Sequence, residues 1–123
     1  MNTLFLFSFI VEAIFAIGFI FIPGLVIGPM GVTLDETSTT FARMFGTALA
    51  SIPVLLFFAR RSENSEFKKG AVYLIFTYMF GSTIILLITQ LNGLMNAMGW
   101  SIVILHFVFL FWSGYYIFSP GKE

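Results

Sequence analysis

Residues 41 to 59 read FARMFGTALASIPVLLFFA. The run is long enough to cross a bilayer and holds one charge, Arg43, near its start. A charged side chain in hydrocarbon costs roughly 2.5 to 3.5 kcal/mol on insertion scales, so it marks a functional or packing site. Three comparable runs surround this one, giving spans of about 3–22, 39–59, 70–89 and 100–118. Two of the others carry their own ionisable group, Glu12 and His106.

Composition agrees with the runs. Of 123 residues, 59% are hydrophobic and 10% charged, against roughly 25% charged in soluble domains. The expected fold is therefore all-α: one domain, 1–123, forming a four-helix transmembrane bundle. A net charge of zero gives no footing for nucleic acid. No cysteine and a single histidine argue against thiolate chemistry and multi-ligand metal sites, so no metal and no cofactor is expected. The first run lacks a basic leader and a small-residue cleavage site, and it reads as a retained span.

Orientation follows from basic residues. Four of the six lie in RRSENSEFKK, 60–69, and none in 23–37 or 90–99. The positive-inside rule places 60–69 in the cytoplasm, with both termini there too, and Lys122 agrees. Trp100, Tyr115 and Tyr116 sit where interfacial aromatics belong. The expected location is the bacterial inner (cytoplasmic) membrane.

The polar positions within the spans have a pattern. Ser8, Glu12 and Ala16 repeat every four residues and share one helix face, suited to a helix contact. In span two, Thr39, Arg43, Gly46, Thr47, Ala50 and Ser51 form a small, polar side, expected to face the bundle. Pro53 leaves a carbonyl unpaired and predicts a kink. Asp35, Glu36, Thr37 and Ser38 supply caps for that span. The loop 23–37, PGLVIGPMGVTLDET, is apolar in its first half and reads as a surface connector or as a lid over the bundle mouth.

Depth ranks the ionisable groups. At about 1.5 Å per residue, Arg43 lies roughly 6 Å and His106 roughly 9 Å below the outer boundary, with Glu12 near the midplane. Three arrangements stay open for Glu12: contact with Arg43 or His106, a neutral carboxyl bonded to Thr47, Ser51, Thr77 or Tyr78, or exposure to lipid. Arg43 has its own alternative, snorkelling to the outer interface. The candidate polar cluster is Glu12, Arg43, His106, Thr47, Ser51 and Tyr78.

Two resemblances can be placed on residues. Pro23-Gly24 after span one, Phe41-Ala42-Arg43-Met44-Phe45-Gly46 opening span two, and Asn96-Ala97-Met98-Gly99-Trp100 leading to His106 resemble a family of small bacterial four-helix membrane proteins, distantly similar to the DoxX-like proteins. This implies fold and location but no activity. Glu12 alone is similar to the carboxylate of the small multidrug resistance transporters, which exchange protons for cationic drugs. Arg43, the long 23–37 loop and the charge bias depart from that pattern.

Three function classes follow. The cluster is structural or binds a small ligand or lipid in a non-enzymatic membrane protein. Alternatively, Glu12 serves a small proton-coupled transporter or channel. A membrane enzyme acting on a lipid-like substrate is the third class, for which no nucleophile or dinucleotide pattern is present. The expected partners are the bilayer, a small-molecule or lipid ligand, and further copies of the chain.

Overall fold

In the computed structural model, residues 1–119 are described; Lys122, counted above in the charge bias, lies outside them. The described chain is helical, with no strand. Helix α1 spans Asn2–Phe21 and a short α2 spans Pro23–Ile27, with a 3-10 turn over Gly28–Met30. Then follow α3 (Glu36–Leu49), α4 (Ser51–Arg61), α5 (Ser65–Leu91) and α6 (Gly99–Phe118). Taking α3 and α4 as one segment, four helical stretches among the described residues are long and apolar enough to cross a membrane.

Local chemistry sets the boundaries. Pro23 opens α2, where its missing N–H costs nothing. Asp35 caps α3 as expected: its Oδ1 accepts from the Ser38 N–H at 2.8 Å, and Ser38 Oγ accepts from the Asp35 N–H at 2.9 Å. The second span is interrupted rather than simply bent, with α3 ending at Leu49 and α4 starting at Ser51. Pro53 has no N–H for the Leu49 carbonyl and its ring crowds that turn. The break sits just upstream, and Ser51 Oγ donates to the Ala48 carbonyl there at 2.7 Å.

The third span is longer than expected. Helix α5 has 27 residues rather than the stretch 70–89, because Asn64 caps it by accepting from the Phe67 N–H at 3.0 Å. Lys68 and Lys69 lie inside the helix, and Lys69 pairs with Glu66 at 2.9 Å. Charge ends an apolar run without ending a helix, so the true connection between α4 and α5 is only 62–64.

The helices pack as two units. Helix α1 lies against α3 and α4, while α5 lies along α6. The units meet more thinly, through α4 with α5 and α1 with α6. Leu4, Phe5, Leu56, Ala59, Ala71, Val72 and Ile75 are all fully buried and fill the end that carries Met1 and the 62–64 turn. Large apolar side chains such as Ile14, Phe21 and Phe111 face outward. In water such a surface would aggregate, whereas hydrocarbon solvates it.

Close approach of α1 to α3 rests on small residues. A Cβ on Gly46 would lie 2.9 Å from the Ile20 nitrogen and 3.0 Å from the Ala16 carbonyl oxygen. Two backbones meet there without an intervening side chain, the contact that small residues permit between membrane helices. At the opposite end from the one filled by Leu4, Phe5 and Leu56, two loops are tied together. The Asn96 N–H donates to the Met30 carbonyl at 2.7 Å, and Asn96 Nδ2 donates to the Pro29 carbonyl at 2.9 Å. Gly31 makes the adjoining turn at φ 82°, a left-handed conformation that suits glycine.

Candidate functional site

Between the two helical units lies a cavity of about 310 Å³. Helix α1 contributes Val11, Glu12, Phe15 and Phe19, and α3 contributes Phe45 and Leu49. Tyr78, Met79, Ser82, Leu86 and Thr89 come from α5, with Ile85 beside them. Ile102, Leu105, His106 and Phe109 line it from α6. Val26, Ile27, Met30, Val32 and Met95 close the loop end. The 23–37 segment is therefore a lid in position, held by Asn96, and part of it is helical.

The wall is almost wholly apolar. Ser82 and Thr89 also line it, but their hydroxyls donate to carbonyls of their own helix, Tyr78 at 2.6 Å and Ile85 at 2.8 Å. Three groups with unspent capacity remain: Glu12, Tyr78 and His106. Glu12 is 4% exposed. Among the described residues its carboxyl takes no hydrogen bond and joins no ion pair; the salt bridge among them joins Lys69 to Glu66. The Tyr78 hydroxyl likewise has no partner among them, and the Tyr78 and His106 rings stand 6.3 Å apart, tilted by 52°.

His106 is fixed by its own helix. Its Nδ1 lies 2.9 Å from the Ile102 carbonyl oxygen. A carbonyl only accepts, so Nδ1 carries the proton, and in the neutral ring Nε2 is a bare acceptor.

The other expected cluster members are elsewhere. Arg43, Thr47 and Ser51 lie on the exposed side of α3 and α4, and none of them lines the cavity that Glu12 borders. The polar side of span two is thus split: Gly46 faces α1 and the three hydrogen-bonding residues face outward. The physical reason is local satisfaction. Thr47 Oγ1 donates to the Arg43 carbonyl at 3.0 Å and Ser51 Oγ to Ala48, so neither hydroxyl needs the bundle. The Glu12, Arg43 and His106 ladder does not form; Glu12, Tyr78 and His106 come together instead. Thr77, another partner considered for Glu12, is exposed. The face of Ser8, Glu12 and Ala16 is buried as its spacing indicated.

Sequence reasoning did not find the cavity. Leu86 and Ile102 carry no signal as wall residues, because the space exists only between the two units. Compared with protein-family models, characterised proteins and solved structures, the chain finds no match.

Proposed function

We propose that this chain is a non-enzymatic protein of the bacterial cytoplasmic membrane, with both termini inside, that binds one small apolar or amphiphilic ligand between its helical units. One observation carries the reading: a buried carboxyl without a protein partner borders an apolar cavity. An ionised carboxylate left alone there costs several kcal/mol even after relaxation. A purely structural glutamate would be expected to have a partner on a neighbouring helix. Pockets that hold small molecules share this design, with an apolar wall and a few polar groups fixing orientation. The volume, at the low end of such pockets, equals roughly ten water-sized volumes.

The packed plug below Glu12 favours a site reached from the lid end or from the lipid, over an open channel. The thin contact between the two units supports the second reading, a proton-coupled transporter in which they rock about Glu12. Native mass spectrometry of protein released from mild detergent tests the binding reading. The parent should carry one apolar adduct per chain, and Leu86→Trp, which fills the cavity, should lose it. Equal adducts on both would refute it. Proton-driven flux in liposomes that depends on Glu12 would replace binding with transport.

A further inference from the structure

The hydrogen-bonding character of the cavity's polar end specifies the ligand's head, granted the reading of the cavity as a binding site. Glu12 offers carboxyl oxygens, His106 offers Nε2 because Nδ1 is held by Ile102, and Tyr78 offers its hydroxyl oxygen. All three can accept a hydrogen bond; when Glu12 is ionised, only the Tyr78 hydroxyl can also donate. Ser82 and Thr89 add no free donor, since each already donates to its own helix. We propose that the ligand is a single-chain amphiphile with a protonated primary amine, whose ammonium sits against Glu12, Tyr78 and His106.

A primary ammonium has three donors, one for each acceptor group. It also supplies the positive charge that no described residue brings to Glu12. Arg43 is on the exposed side of α3. Lys68 and Lys69 lie at the far end of α5, where even Lys69 is nine residues, or roughly 14 Å of helix, from Tyr78. Phe15, Phe109 and Tyr78 are also among the lining residues, and aromatic rings attract a cation. An anionic head finds the reverse: a carboxylate, an acceptor nitrogen and one phenol. The roughly ten water-sized volumes of the cavity suit a chain of about ten carbons.

The test uses the full chain in detergent and four probes of one chain length: decylamine, decanol, decyltrimethylammonium and decanoate. Binding is read as stoichiometric adducts by native mass spectrometry and checked by quenching of the tryptophans. Decylamine should bind about tenfold or more tightly than each of the others, as a charge-assisted hydrogen-bond set demands. Glu12→Gln and, separately, His106→Phe should each weaken decylamine more than decanol. If Glu12→Gln does not fold, His106→Phe and the cavity-filling Leu86→Trp still decide the matter. Equal binding of decyltrimethylammonium would overturn the donor argument, and equal binding of decanol would overturn the charge argument. Tighter binding of decanoate would overturn both while leaving the cavity as a site, provided Leu86→Trp abolishes it. Failure of every probe to bind in a Leu86-dependent way would remove the amine proposal together with the cavity reading beneath it.

Discussion

Gly46→Ala is the smallest change that should disturb the bundle. The added Cβ would meet Phe19 Cβ at 2.8 Å, the Ile20 nitrogen at 2.9 Å and the Ala16 oxygen at 3.0 Å. Two of these are backbone atoms of α1 and cannot rotate away. Ordinary contact needs about half an ångström more, so α1 and α3 must separate. A gap of 0.5 to 1 Å forfeits roughly a quarter to a half of each dispersion contact along the seam. Overpacking of this kind costs about 1 to 3 kcal/mol. In water, alanine would recover about 1 kcal/mol through helix propensity. In a bilayer the separated helix stays helical, so little of that offset remains. The expected net loss is therefore about 1 to 3 kcal/mol, or up to about a hundredfold in the folding equilibrium. Unfolding in mixed micelles, followed by circular dichroism and tryptophan emission, reads it. Gly81→Ala is the control: nothing lies within 4 Å of its Cβ position. Gly18→Ala should fall between, because its closest neighbour is the movable Val26 side chain at 2.7 Å. Phe19 and Phe45, edge to face at 5.2 Å, line the cavity beside this seam, so Gly46→Ala should weaken ligand binding too. Stability of Gly46→Ala equal to that of Gly81→Ala would refute the close approach of α1 and α3.

Arg43→Leu should leave stability in detergent within about 0.5 kcal/mol of the parent, because the guanidinium makes no contact that holds the bundle; a large loss of melting temperature would return Arg43 to the core. Cysteine labelling from outside should reach positions 35 and 92 and miss position 64, and the opposite pattern would invert the proposed topology. Asp35 tests the cap of α3 through pH. The Ser38 hydroxyl and backbone N–H hold its carboxyl below the usual 3.8. A depressed value means the cap is complete above the unfolded-state value and fades as pH falls through the folded one. The Ser38 amide proton should therefore titrate with a midpoint below 3.8, and a midpoint at or above it would mean the cap is not formed.

The four long apolar helical stretches were legible because runs of about 20 apolar residues have few alternatives. Ser8, Glu12 and Ala16 were legible as a buried face because an i, i+4 repeat survives whatever the neighbours do. Span two misled for a definable reason. A small, polar stripe is ambiguous in sequence: glycine is useful only in a close contact, whereas threonine and serine can bond within their own helix and turn outward. Gly46 and Thr47 are adjacent in the chain, yet the first is buried and the second exposed. Tyr78 and His106 were both legible as candidate neighbours of Glu12, but the approach of their rings to 6.3 Å was not, since it depends on how α5 meets α6 across the interior. The lid was half legible. Its apolar residues announced burial somewhere, but its tie to Asn96 joins segments 67 positions apart.

An experimental structure of the protein purified without delipidation, crystallised from a lipid phase, tests the central claim most directly. The account predicts elongated non-protein density between α1 and α6, running under the 23–37 lid and ending within hydrogen-bond distance of Glu12 and the free nitrogen of His106. A collapsed cavity, with the Glu12 carboxyl bonded to Arg43 or turned to lipid, would contradict it.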